Sequence, residues 1–151
     1  MGTKLMALFP QSTNADYRGS PIALVILGLA TLLTLIPASI HTFLPDGGAN
    51  VIAGMGIDLK SEHGRRVVGL MAWAGVTQLA LGFILLAALL RYRSFAPLLL
   101  GLITVERILH CWHLWGPKSG DHHPPEAYVT LGLIPIFALG FILSLRASKQ
   151  S

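Results

Sequence analysis

With 151 residues the chain has room for one compact unit and none for a second domain. It is 53% hydrophobic and 12% charged, where a soluble domain carries about a quarter of its residues charged, and its mean hydropathy is +0.64. That balance excludes an ordinary soluble fold and points to a membrane protein. The formal charge of +4 and pI of about 9.6 could suggest nucleic acid, but the basic residues flank apolar runs, where they orient helices, and form no cluster long enough to hold nucleic acid.

In chain order, Met1 to Gly19 reads as a polar-to-mixed tail, expected to be loosely ordered. Its apolar patch, Leu5 to Phe9, is too short for a secretory core, and Met6 stands where a myristoylation signal needs Ser or Thr. The first span is therefore expected to act as its own insertion signal. Ser20-Pro21 supplies an N-cap followed by proline at the first helical position. Residues 22–44, IALVILGLATLLTLIPASIHTFL, predict a transmembrane helix kinked by Pro37 one turn below His41. Pro45-Asp46-Gly47-Gly48 ends it with turn chemistry. Residues 49–66 form a long loop, too apolar at Val51, Ile52 and Met55 for a plain tether, so it should fold back over the bundle mouth.

Residues 67–90 predict the second span, with Gly69, Ala72, Gly75 and Gly82 as the small residues that let membrane helices approach closely and Gln78 near the middle. The tight basic turn Arg91-Tyr92-Arg93-Ser94 predicts that spans two and three are antiparallel neighbours. The third span covers 95–114. The polar loop GPKSGDHHPP follows, and Glu126 then places a negative charge at the start of the fourth helix, where the helix dipole favours it. The fourth span, 127–145, should bend near Pro135. The expected fold is thus all-α, one integral-membrane bundle of four transmembrane helices. Lys4, Arg18, Arg91, Arg93, Arg146 and Lys149 lie on the side of the termini, against Lys60, Arg65, Arg66 and Lys118 on the other. That distribution predicts that both termini are cytoplasmic.

The third span, FAPLLLGLITVERILHCWHL, is the unusual one, because it carries Glu106, Arg107, His110 and His113 through a length that just crosses a bilayer core. At ~100° per residue, His110 lies ~40° from Glu106 and His113 ~20° the other way, so the three share a face while Arg107 points ~100° aside. All six histidines (His41, His63, His110, His113, His122 and His123) fall on the outer half or in the outer loops. With Asp46 at the mouth, and Glu106, Gln78 and Thr34 near the midplane, the layout predicts a polar funnel narrowing to Glu106.

Two readings of the funnel stand. His41, Glu106, His110 and His113 can bind a transition metal through imidazole and carboxylate, or His41 can pair with His110 or His113 as axial haem ligands. Alternatively, the histidines near helix ends reach water and Glu106 is neutralised by Arg107, by protonation or by Gln78. Geometry makes a partner on another helix the better expectation for Glu106, because Arg107 is set a quarter turn away. His122-His123 in its proline-rich loop, and His63 beside Glu62 and Arg65, read as solvated. Trp112, Trp115, Tyr92 and Tyr128 fit interfacial anchors. The lone Cys111 permits neither an intrachain disulfide nor a cysteine metal cluster, and no phosphate loop or nucleophile elbow is present.

The segment His41 to Ala49 (HTFLPDGGA), the stretch Gly75 to Arg91 with its Thr-Gln-Leu-Ala-Leu-Gly core, and Arg107 in the third span resemble small uncharacterised bacterial inner-membrane proteins of the domain-of-unknown-function type, with a DoxX-like four-helix layout. The resemblance implies a bacterial inner membrane; it carries over no activity and no site residue. The near absence of catalytic signatures, the small size and the small-residue faces of span two lead instead to the expected function, a non-catalytic accessory or stabilising subunit of a larger respiratory or photosynthetic membrane complex, in contact with lipid and with other subunits. The alternative is a metal- or haem-binding redox or transport protein.

Overall fold

The computed structural model describes residues 14–117, 120 and 123–146. Its elements are α1 (Pro21–Phe43), α2 (Glu62–Leu90), a single 3-10 turn (Arg93–Phe95), α3 (Ala96–Trp115) and α4 (Pro125–Ser144), with no strand among the described residues. All four helices are long and apolar enough to cross a membrane, which makes this a multi-pass membrane protein.

Helix α1 starts as its sequence dictates: the Ser20 side chain accepts from Ile22 N (3.3 Å) and Pro21 occupies the first turn. Its hydroxyls do not need partners on other helices. Thr31, Thr34, Ser39 and Thr42 each donate back to the carbonyl four residues earlier, at 2.7–2.8 Å. Thr34, expected in the funnel, is instead buried against its own helix. Helix α2 begins five residues before the predicted span, because Ser61 caps it by accepting from Gly64 N (3.0 Å). The stretch Glu62–Arg66 is therefore helical rather than loop, with Arg66 paired to Glu62 one turn away.

The helices do not pack in a ring. Helix α2 lies along α1, α3 lies along α4, and α1 also meets α4; α2 and α3, joined by the short turn, touch at few points. The expectation that spans two and three are packed neighbours is thus corrected. The reason lies in two of the small residues, Gly75 and Gly82, which sit on the face of α2 turned to α1, whereas Gly69 faces open space. A Cβ at Gly75 would stand 2.8 Å from His41 Cβ and 2.7 Å from Thr42 Oγ1, and one at Gly82 would collide with Leu35. Seven residues apart, these glycines share one face and let α1 come in close.

Two layers follow. Toward the termini lies a dry core built from Leu27 and Ala30 of α1, Leu85 of α2, Leu100 and Ile103 of α3, and Phe137 of α4. The end of the tail clasps this end of the bundle. Asn14 N donates to the Ser94 hydroxyl and Ser94 N to the Asn14 carbonyl (3.3 Å each), while Ser20 N donates to Leu143 O (3.3 Å). Burial lifts the Tyr17 hydroxyl to about 12, so it stays protonated and donates to the Ser20 carbonyl (3.2 Å). Asn14 to Gly19 is therefore packed rather than loose, while Met1 to Thr13 lie outside the described residues. At the opposite end the chain turns polar.

Candidate functional site

The polar end is organised by the loop after α1. Its carboxylate, Asp46, is buried and accepts three backbone N–H groups: Gly48 (2.9 Å) on Oδ1, Asn50 (3.0 Å) and Val51 (2.9 Å) on Oδ2. Those bonds, Val51 foremost, hold its carboxyl below the usual carboxylate range. The backbone can wrap the carboxylate because Gly47 and Gly48 take φ of +59° and +83°, the left-handed region that glycine enters freely. Asn50 then pins the far side of the loop through Ile57, donating to its carbonyl (2.8 Å) and accepting its N–H (2.7 Å). The start of the loop packs on α2, with Gly47 against Val68 and Met71, but the apolar residues expected to fold back over the bundle mouth do not cover it. Val51, Ile52 and Met55 stay exposed at its tip.

This loop also fixes a candidate ligand. His41 Nδ1 lies 2.7 Å from the Gly47 carbonyl oxygen. A carbonyl only accepts, so Nδ1 carries a proton, and in the neutral ring Nε2 is the nitrogen that keeps its lone pair.

His41 lines a cavity of about 80 Å³ to which every helix contributes. Its polar groups are His41 from α1, Gln78 from α2, Arg107 and His110 from α3, and Glu126 and Thr130 from α4. Leu33 and Pro37 complete the α1 wall. There the proline lacks the N–H that would otherwise bond the Leu33 carbonyl. Glu126, exposed in the first turn of α4, sits at the rim. From Leu33 to His41 the cavity wall rises ~12 Å at 1.5 Å per residue. Toward the termini Leu27, Ile103 and Phe137, each at most 2% exposed, pack into the dry core.

The third span is oriented differently from the sequence expectation. Arg107, not Glu106, faces the interior: its residue is 8% exposed, it lies in line with buried Leu100, Ile103 and Thr104, and it lines the cavity. Glu106 stands on the flank with its side chain 36% exposed, and it is not part of the cavity wall. The partner of Glu106 is Arg107 itself, Nε to Oε2 at 3.0 Å, rather than a group on another helix. A separation of ~100° on the helical wheel describes where Cβ atoms point, and an arginine is long enough to curl back across it. The approach is badly angled: both Arg107 Nε and Glu106 Oε2 are buried without a hydrogen bond. His110 Nδ1 is 3.8 Å from the other Glu106 oxygen.

Of the four predicted ligands, His41 and His110 meet in one cavity and Glu106 approaches His110 from outside it, whereas His113 is exposed and not on the cavity wall. Among the described residues no three His, Cys, Asp or Glu side chains converge on a point where a metal ion could sit.

The loop between α3 and α4 holds a feature that sequence reasoning missed. His123 stacks on Trp115 (centroids 4.3 Å apart, 21° between planes) and its Nδ1 is 3.1 Å from the Leu114 carbonyl oxygen. Tyr128 meets Trp115 edge-on at 5.1 Å, and Trp115 Nε1 donates to Ala127 O (3.3 Å). His123 is therefore a half-buried clasp between two helices and not a solvated turn residue; His122 lies outside the described residues. The pair of prolines before α4, which forces the chain back toward Trp115, was the available signal. His63 is exposed in the first turn of α2, as expected.

Compared with protein-family models, with curated proteins and with solved structures, the chain matches none.

Proposed function

We propose that this chain is a non-catalytic accessory or stabilising subunit of a larger membrane complex, respiratory or photosynthetic, in a bacterial inner membrane with both termini cytoplasmic. The observation that supports this is the one-sided packing of α2. This 29-residue helix rests on α1, leaving Gly69, Trp73, Val76, Ala80, Phe83 and Ala87 on one outward face. Large and small residues alternate there, and nothing lies within 4 Å of a Cβ built at Gly69, so another transmembrane helix can approach closely. The excess of Lys and Arg on the side of the termini supports the orientation, and the DoxX-like layout belongs to the same proposal. The experiment is blue-native electrophoresis at native expression level. Migration in a species well above the 16.2 kDa chain, with loss of that species on Gly69→Leu or Ala80→Leu, is expected. A species at the bundle's own mass in every membrane fraction overturns the reading.

One observation favours a second reading, metal binding at the polar end: His41 and His110 line one cavity, and the Gly47 carbonyl leaves His41 Nε2 free as a ligand atom. Haem is the weaker form of it, since about 80 Å³ is far below the ~300 Å³ or more of a cofactor-sized pocket. Metal analysis of the purified protein, with His41→Ala beside wild type, decides between the two readings.

A further inference from the structure

We infer that the cavity under the Asp46 loop is a binding site for a small oxyanion of the carboxylate type, held by the Arg107 guanidinium. This does not depend on the subunit reading, which concerns the opposite, outward surface of α2.

Arg107 is distinguished by what it lacks. A guanidinium carries five N–H donors in a planar fork and stays charged at any ordinary pH. Buried arginines are held by acceptors matched to that fork, because a buried donor without one costs free energy. Arg107 has its side chain 10% exposed, and its partner among the described residues is Glu106. That contact offsets charge without taking hydrogen bonds: it leaves Nε, buried, with no bonded acceptor. Nε is turned to Glu106 on the flank, outside the cavity, so the donors that Arg107 offers the cavity are those of its two terminal nitrogens, which bond no acceptor among the described residues.

The cavity suits a ligand that fills those donors. Its volume of about 80 Å³ is several times the ~10–15 Å³ that a single water needs and admits a two- or three-carbon acid. Around it stand the Gln78 amide, the Thr130 hydroxyl and His110, each able to donate to a second oxygen. A planar carboxylate matches the fork through two parallel bonds, which a spherical anion cannot do. Two carboxylates work against an entering anion: Glu126 at the rim, and Glu106 on the flank, 3.0 Å from Arg107 Nε.

That opposition makes the site testable by sign. The probe is 13C-formate, with 13C-lactate as the larger hydroxy acid, titrated at constant ionic strength onto the full-length chain in detergent and read by NMR line broadening. Wild type is expected to broaden saturably. Arg107→Gln should weaken binding at least ten-fold, and Arg107→Lys, which keeps the charge without the fork, by several-fold. Glu126→Gln, at an exposed position where folding is not at stake, should tighten it several-fold. Zn2+ titrated in parallel supplies the other outcome. If Arg107→Gln strengthens Zn2+ binding and Glu126→Gln weakens it, the site takes a cation and the anion assignment is overturned. Non-saturable broadening by wild type, or unchanged affinity in Glu126→Gln, overturns it too, leaving water on the open donors. Should Arg107→Gln fail to fold, Arg107→Lys and Glu126→Gln still separate an anion site from a cation site. None of these results bears on the native-gel test of the subunit reading.

Discussion

Two charged residues at the polar end behave oppositely, and the difference is one of hydrogen bonding. Asp46 is surrounded by three backbone donors and gains from being ionised. Its carboxyl titrates lower folded than unfolded, so its stabilisation is fully present above the unfolded value of ~3.9 and disappears as the pH falls through the lower, folded one. Thermal melts in detergent should therefore show wild type losing stability below about pH 4, while Asp46→Ala is less stable at pH 7 and flatter in that window. Equal slopes for both would show that another group carries the acid sensitivity. Arg107 and Glu106, by contrast, neutralise each other without bonding. Glu106→Gln keeps the shape and removes the counter-charge, leaving the guanidinium to the cavity alone. It is expected to cost about 1–3 kcal/mol in unfolding measurements. Arg107→Met combined with Glu106→Gln, which removes both charges and fills similar volume, should cost less than Glu106→Gln alone, because no buried charge is left without its partner. The reverse order would mean that the flank position of Glu106 is well hydrated and the pair matters little.

At the scale of elements, the contact of α1 with α2 is set by two glycines. Gly75→Val puts carbon within 3 Å of His41 and Thr42 and must push the helices apart, at about 1–3 kcal/mol. Gly69→Ala, facing open space on the same helix, should be neutral or stabilise by up to ~1 kcal/mol through helix propensity alone. Measured side by side, the two substitutions separate packing from propensity; equal effects would remove the glycine contact as the reason α2 follows α1. The clasp between α3 and α4 works through aromatic area. Trp115→Ala removes the stack on His123, the edge contact with Tyr128 and the bond to Ala127 O together. It should loosen the loop between α3 and α4, read as faster proteolysis there while cleavage at the Asp46 loop is unchanged.

Taken whole, the molecule is a bundle with a dry end and a wet end. The dry end carries the apolar core and both described chain ends; the wet end carries the cavity, the Asp46 loop and the aromatic clasp. An even number of crossings puts the two chain ends on one side of the membrane. Cysteine labelling after Cys111→Ala tests which side. Ser61→Cys is expected to react with an impermeant reagent from outside and Arg93→Cys only after permeabilisation. The opposite pattern would turn the cavity to the cytoplasm and reverse the proposed orientation.

The sequence by itself determined the four spans, the Ser20-Pro21 start, the glycine turn after α1 and the concentration of polar groups at one end. Each of these follows from local rules: apolar length, caps, and the φ that glycine permits. What it left open was decided by packing. Helical-wheel angles place Glu106, His110 and His113 on one face but do not say which face meets the other helices; burial of Leu100, Ile103 and Thr104 did, and it turned Arg107 inward. A short turn between spans two and three suggested neighbours, yet Gly75 and Gly82 let α1 come closer to α2 than α3 could. The start of α2 and the His123 stack also depended on partners distant in the chain or on a cap outside the apolar window. A side chain's chemistry is written in the sequence, but its surroundings are a property of all four helices together, and they decided which charged group faces the cavity.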